Sequence, residues 1–264
     1  GTLGLGKLVV FYDDNGISID GAVRGWFTDD TPRRFEAYGW HVVPNVDGHD
    51  SDAVRAAIEA ARAQSDKPSL ICCKTIIGYG APNVQGTAAT HGAALGPAEA
   101  AAARQALGWE FPPFVIPDDV KSAWDARERG ARLESAWQEQ FAKYERAHPD
   151  LAAELVRRTD GKLAGDWPDR ASAAVHKVSA AGKTMATRKA SQQALDAFAP
   201  LVPELIGGSA DLTGSNNTLH SGSKAFTPDN PAGNYFYFGV REFGMGAALN
   251  GMAAHGGVIP YGGT

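Results

Sequence analysis

Between residues 8 and 76, three short apolar runs alternate with polar, helix-forming segments, and this constrains the fold more than any other feature of the chain. Leu8-Val9-Val10-Phe11-Tyr12 is rich in β-branched and aromatic side chains and too short for a helix, so it reads as a buried strand. His41 to Val46 and Ser69 to Ile76 read the same way. Between the first two runs, Thr31-Pro32 offers an N-cap followed by proline at the first helical position, opening a short helix that Gly39 stops. Asp50 or Ser51 caps a second helix, whose Val54, Ile58 and Ala61 recur at helical spacing. Strands joined through helices by short loops pair in parallel, and both faces of such a sheet must be covered. The expected fold class is therefore α/β with a parallel sheet.

The later sequence repeats the theme after a helical interlude. Residues 98 to 107 form an alanine-rich helix pattern, and Trp109 to Pro117, with its prolines, is an extended connector. From Asp118 to about Arg146, the residues Val120, Trp124, Leu133, Trp137, Phe141 and Tyr144 predict one long amphipathic helix, with Gly130 as the place for a kink. Leu151 to Arg158 predicts a further short helix. A Gly-, Pro- and Asp-rich stretch from Gly161 to Asp169 reads as a linker running into a helix at Ala171 to Ala180. A second α/β unit begins near Thr184. It comprises a helix from Thr187 to Phe198, a strand at Leu205-Ile206, a long Ser/Asn/Gly-rich loop from Ser209 to Ser223, a strand from Tyr235 to Val240 and a helix from Arg241 to His255. The expected division is 1–160, a linker over 161–183, and 184–264. So short an open α/β unit leaves a sheet face and edge uncovered, so the chain is expected to be an internal fragment of a longer protein.

Composition narrows the partners. Hydrophobic residues make up 44% and charged residues 21%, a globular balance rather than a disordered one. The net charge of −5 is spread without a basic block, which disfavours nucleic acid and anionic membrane surfaces as partners. No apolar run approaches the length of a bilayer span. Cys72 and Cys73 are adjacent on a predicted strand and point to opposite faces. They read as two reduced core thiols, which fits a cytoplasmic protein.

Several segments carry chemistry-bearing residues. Gly1-Thr2-Leu3-Gly4-Leu5-Gly6 has the wrong spacing for a dinucleotide fingerprint and precedes a strand instead of following one, so it reads as a structural turn. Asp13-Asp14-Asn15-Gly16-Ile17 lies just beyond the C-terminal end of a parallel strand, where ligands bind in open α/β sheets. Its local sequence is an ordinary Asx-Gly turn, and it also offers oxygen donors suited to a hard cation. Thr90-His91-Gly92 places a histidine in a glycine-flanked loop. Arg188 opens a helix and Ser215 follows a strand; a guanidinium fork and a hydroxyl suit a phosphate, and equally suit a helix-start ion pair and a solvated loop. Glu242 stands in the first turn of a helix, where a carboxylate favours the dipole.

Taken together these segments resemble the transketolase family. The string from Asp13 to Gly21 followed by Gly25-Trp26-Phe27 is similar to the segment closing that family's thiamine-diphosphate motif. The resemblance implies that the Asn15 side chain and the Ile17 carbonyl bind Mg²⁺ (or Ca²⁺). It also implies that Ile17, Ile19 and Ile77, the last in Lys74-Thr75-Ile76-Ile77-Gly78, clamp the thiazolium of thiamine diphosphate. The family motif opens with a Gly-Asp-Gly triplet absent from this sequence, so the implied metal site is incomplete here. Thr90-His91-Gly92-Ala93-Ala94-Leu95-Gly96 resembles the family's histidine loop, which gives His91 hydrogen bonds to the cofactor diphosphate and to substrate hydroxyls. Arg188 and Ser215 would hold the phosphate of a sugar phosphate. Thr213-Gly214 before Ser215 departs from a common version of that loop.

Arg241-Glu242-Phe243-Gly244-Met245 gives Glu242 the central catalytic role in this resemblance. Its carboxyl would hydrogen-bond the pyrimidine N1′ and promote the imino tautomer, which calls for a dry pocket and a raised pKa. The implied fold is the parallel-sheet thiamine-diphosphate-binding fold, with parts of two α/β domains. Residues 1–160 would be the later part of the diphosphate-binding domain with a helical extension, and 184–264 the early part of the pyrimidine-binding domain. The implied activity passes a two-carbon ketol unit from a ketose phosphate to an aldose phosphate, as in the pentose phosphate pathway. The implied assembly is a homodimer in which Asn15, Ile17 and His91 of one chain face Glu242 of the other. Dihydroxyacetone synthase and deoxyxylulose-phosphate synthase share this architecture, but the Arg188–Ser215 pair and the His91 loop favour transketolase over both. A catalytically silent transketolase-like subunit is the remaining alternative, against which Glu242 and Asn15 both stand.

Overall fold

The computed structural model describes residues 1–264. The chain forms two compact units, Gly1–Asp125 and Ala126–Thr264.

The first unit contains β1 (Val9–Asp14), β2 (Ile17–Ser18), β3 (Gly21–Ala22), α1 (Thr31–Ala37), β4 (His41–Asp47), α2 (Ser51–Ala63), β5 (Ser69–Lys74), α3 (Gly96–Ala106) and α4 (Asp118–Trp124). Its main sheet has the order β1-β5-β4 and is parallel throughout, with β1 and β5 aligned from Val9↔Ser69 to Asp14↔Lys74. The central strand is buried from Ser69 to Cys73, as a strand covered on both faces must be. On one face, Ala57 and Ala61 of α2 pack against Val46, Ile71 and Cys73, with Val9, Val43 and Ile58 at the margin. Complete burial of Ile71 alone contributes about 1.5–3 kcal/mol. Both cysteines are free and buried, and burial pushes both thiols up from their ordinary values.

Helix starts follow the local donors. Asp50 caps α2, its carboxylate accepting from the backbone N–H of Asp52 at 2.9 Å and of Ala53 at 3.3 Å. The cap of α1 is Asp30 and not Thr31: the Asp30 carboxylate accepts from Arg33 N–H, and Thr31 and Pro32 lie inside the first turn, where proline's missing donor costs nothing. Gly39, at φ +76°, ends α1 as expected. On edge strand β4 the register steps from Val43↔Ile71 to Val46↔Cys73, so Pro44 and Asn45 form a bulge where proline is tolerated.

The second unit contains α5 (Arg127–Ala147), α6 (Pro149–Thr159), α7 (Trp167–Ala180), α8 (Thr187–Phe198), β6 (Leu205–Ser209), α9 (Thr213–Asn216), β7 (Tyr235–Tyr237), α10 (Glu242–His255) and β8 (Ile259–Gly263). The single helix expected from Asp118 to Arg146 is two helices, divided where Asp125 turns into extended backbone; Gly130 sits inside α5 and causes no break. The apolar stripe of α5 stays largely open, with Leu133 and Trp137 exposed and Trp137 stacked on Phe141. The segment expected as linker becomes helical four residues early, at Trp167.

The second sheet is also parallel, in the order β7-β6-β8. Gly207 and Gly208 of the central strand are obligatory: a Cβ at Gly207 would meet the Tyr261 ring at 2.2 Å, and one at Gly208 the Phe236 carbonyl oxygen at 2.1 Å. An ion network ties α6 to the entrance of β6. The Arg157 guanidinium donates to both oxygens of buried Glu204, at 2.8 and 3.0 Å, and to Glu154, which also accepts from Arg158. Bonds from Arg157 and Arg158 lower the Glu154 pKa to about 2, and Arg157 also lowers that of Glu204.

Candidate cofactor and substrate sites

Parallel pairing sends the chain out of β1, β4 and β5 at one end of the first sheet, and the exiting loops are fastened together there. The Asp13 carboxylate accepts from the Thr75 hydroxyl, and Lys74 pairs with Asp14. Gly48 donates its N–H to the Lys74 carbonyl at 2.9 Å. A Cβ on Gly48 would lie 2.5 Å from the Thr75 methyl, so only glycine lets the β4 exit lie against the β5 exit. His49 Nε2 accepts from the Ile76 N–H at 2.8 Å, and its ring stacks on Tyr79 with centroids 3.8 Å apart.

Asn15 follows β1 directly and is half-buried. Its Oδ1 accepts from the Ile17 N–H at 2.9 Å, so the Asx turn is real. One acceptor position of that oxygen is thereby used and a second lone pair remains. Ile17 and Ile19 belong to a tight hairpin in which Ile17 pairs with Ala22; Ile19 lies at its tip and is 70% exposed. Gly16 uses its carbonyl to accept from Val23 N–H, which closes the base of the hairpin. No group of three or more His, Cys, Asp or Glu side chains gathers as a metal site. The donors present are a side-chain amide and backbone carbonyls, hard neutral oxygens that fit part of an octahedral Mg²⁺ shell.

Ile77 is half-buried just beyond β5, and its carbonyl accepts from Gly86 N–H at 2.8 Å. Gly78, at φ +66°, touches Thr90: a Cβ there would come within 2.6 Å of the Thr90 methyl. This contact brings the segment ending in His91 back onto the Ile77 turn. His91 follows a short 3-10 turn, Ala88–Thr90, and its imidazole is exposed with no hydrogen-bond partner in the chain. Asn15, Ile17, Ile77 and His91 thus sit on fastened loops at one end of the sheet. The cleft of about 540 Å³ beside α1, lined by Tyr12, Asp14, Asp30, Asn45 and Lys74, contains none of them.

In the second unit the β6 exit is built on buried hydroxyls. Ser209 Oγ accepts from Leu212 N–H at 3.1 Å and from Asn216 Nδ2 at 2.8 Å. The Tyr235 hydroxyl, fully buried, bridges Thr213 at 2.8 Å and Thr218 at 2.6 Å, and Tyr261 donates to the Thr218 carbonyl. This network holds α9, on which Ser215 is exposed. Arg188 is exposed in the first turn of α8, with no ion pair and no hydrogen bond to Ser215. Glu242 begins α10, exposed and without a partner. Its neighbours Val240 and Phe243 are 76% and 92% exposed. The dry surroundings expected for Glu242 are therefore not supplied by the fold around it.

Residues 1–164 match the family described as transketolase, thiamine diphosphate binding domain, and residues 183–264 match the transketolase pyrimidine binding domain. The chain belongs to the transketolase family. It is 58% identical over its whole length to Transketolase 1 of Vibrio cholerae and 57% identical over 261 residues to Transketolase 1 of Escherichia coli, spanning 40% and 39% of those proteins. Among solved structures, the transketolase of Pichia stipitis in complex with sedoheptulose-7-phosphate matches all of the chain with a TM-score of 0.89 and 39% identity, over 40% of its own length. The transketolase of Leishmania mexicana matches with a TM-score of 0.89 and 37% identity, over 39% of its length.

The parallel α/β architecture read from the sequence is thus the transketolase architecture. Sequence reasoning missed the partners that fix the transketolase loops, namely Asp13, His49 and Thr75. Asp47-Gly48-His49-Asp50 could have been found by the criterion that singled out Asn15, since it too follows the C-terminal end of a parallel strand.

Proposed function

We propose that the protein containing this chain is a transketolase, reversibly transferring a two-carbon ketol unit from a ketose phosphate to an aldose phosphate in the cytoplasm, within the pentose phosphate pathway. The observation that carries this reading is the fastening of the Asn15–Ile17 and Ile77–His91 loops at one end of a parallel sheet, in a chain of this family. Functionally, residues 1–160 serve the cofactor diphosphate, 161–183 connect, and 184–264 serve the pyrimidine.

Asn15 Oδ1 and the Ile17 carbonyl would hold Mg²⁺. Ile17, Ile19 and Ile77 press on the thiazolium and exclude water, and His91 donates to diphosphate and to substrate hydroxyls. Thiamine diphosphate, when bound by these residues, would supply an electron sink. Glu242 holds a proton at the pyrimidine N1′, a task for a carboxyl screened from water. The screen comes from a second copy in a homodimer, a reading supported by the bare Glu242 beside exposed Val240 and Phe243. Arg188 and Ser215 bind the sugar's phosphate.

The full-length protein, given thiamine diphosphate and Mg²⁺, is expected to convert a ketose phosphate and an aldose phosphate into the products two carbons shorter and longer. Absence of cofactor binding at saturating Mg²⁺ would overturn the reading.

A further inference from the structure

Four consecutive residues at the β4 exit, Asp47-Gly48-His49-Asp50, each engage a different neighbour. Asp47 Oδ1 accepts from His49 N–H at 2.9 Å and orients the histidine. Gly48 lies against Lys74 and Thr75, and Asp50 caps α2. His49 itself reaches across the sheet end, with Nε2 accepting from Ile76 N–H and the ring stacked 18° from parallel on Tyr79. An imidazole that accepts at Nε2 is neutral and carries its proton on Nδ1.

The consequence falls on Ile77. Ile76 is committed at both ends of its peptide units, N–H to His49 and C=O to Tyr79 N–H at 3.1 Å. The Ile77 carbonyl is held by Gly86. The backbone entering and leaving Ile77 is therefore pinned, and the His49 bond is the part of that pinning that comes from outside the β5 loop. His49 is exposed and buries little apolar surface, so its worth to global stability is small.

We propose that His49 is a positioning residue for cofactor binding: its Nε2 fixes the Ile76–Ile77 turn so that Ile77 meets the thiazolium of thiamine diphosphate. The proposal rests on the reading of Ile77 as a cofactor contact. It makes the β4 exit, which touches neither metal nor diphosphate in that reading, a determinant of cofactor affinity.

Two variants of the full-length protein separate the ring from its acceptor. His49→Phe keeps an aromatic face for Tyr79 and loses the acceptor; His49→Gln returns an acceptor oxygen and loses the stack. Affinity for thiamine diphosphate is measured by calorimetry at saturating Mg²⁺, beside the melting temperature of the apoprotein and the KM for a sugar phosphate at saturating cofactor. His49→Phe is expected to bind cofactor about three- to tenfold more weakly, and His49→Gln to recover most of that loss. Melting temperature and sugar KM are expected to match wild type in both. Wild-type affinity in His49→Phe, equal losses in the two variants, or a loss of affinity that tracks a lower melting temperature would each overturn the proposal. Failure of the wild-type protein itself to bind thiamine diphosphate would overturn the transketolase reading, and this inference with it.

Discussion

The two units use the same device, a three-stranded parallel sheet with functional loops at the strand exits, yet they finish those exits differently. In the first unit the loops are fastened to one another by exposed side chains: Asp13 to Thr75, Lys74 to Asp14, and His49 to Ile76. In the second, buried hydroxyls of Ser209, Thr218 and Tyr235 set the backbone, and the residues with the chemistry, Arg188 and Glu242, stand bare. The first unit ties its exit loops to one another. The second leaves its charged side chains exposed on a hydrogen-bonded support.

The largest effect is expected at Glu242, in the full-length protein. Glu242→Gln removes the acid proton while keeping shape, and because Glu242 has no partner within the chain, fold and melting temperature should not change. Hydrogen–deuterium exchange at cofactor C2, followed without sugar, is expected to slow by about 10² to 10⁴. Exchange at the wild-type rate would reduce Glu242 to a helix-dipole carboxylate and erase the functional half of the contrast.

Arg188→Ala comes next. Loss of a charge-assisted contact is worth about 1.5–3 kcal/mol, or roughly ten- to a hundredfold in kcat/KM for phosphorylated substrates. Unphosphorylated ketoses and aldehydes should be nearly unaffected, and equal losses for both kinds would return Arg188 to a structural role. In the first unit, Asn15→Ala is expected to weaken thiamine diphosphate binding about tenfold at limiting Mg²⁺, with partial recovery in excess Mg²⁺. An unchanged affinity at limiting Mg²⁺ would leave only the Asx turn.

The smallest effect sharpens the comparison through pH. Glu154 titrates at about 2 in the folded chain, held down by Arg157 and Arg158, against an ordinary value of 4.5. A depressed carboxylate stabilises the fold above its unfolded pKa, and that contribution fades as pH falls from about 4.5 toward 2. Protection of β6 amides, relative to their intrinsic exchange rates, should therefore fall over that window, and more gently in Glu154→Gln. The first unit's lowered carboxylates, Asp29 and Glu99, lack a buried ionic partner: Arg34 beside Asp29 is 52% exposed, whereas Arg157 is 17% and Glu204 5% exposed, so β5 protection should be less sensitive. Equal acid sensitivity of β5 and β6 would show that the Glu154–Arg157–Glu204 network does not set the stability of the second sheet.

Much of this was legible in the sequence because it is local. Asp50 caps α2 through its own carboxylate, Gly39 ends α1 through its positive φ, and the uninterrupted apolar run from Leu70 to Cys73 announces a buried strand. The Asn15 turn is equally local, formed with a residue two positions away. Where the reading slipped, two neighbouring solutions were nearly equivalent, as with Asp30 and Thr31 at the start of α1. At Asp125 the apolar spacing continued across a backbone break that side-chain periodicity does not record.

The sequence by itself determined the parallel α/β class, the main strands and most of the helices, and the residues carrying the family's motifs, since these depend on neighbours a few positions away. Only the tertiary structure decided that His49 answers Ile76 from 27 residues away, that Thr75 answers Asp13 from 62, and that Glu242 is left bare at the end of α10. The reason lies in parallel pairing, which gathers loops that are distant along the chain at one end of a sheet. Which side chains then meet there depends on register and on space, as at Gly48, and neither is written in the local pattern.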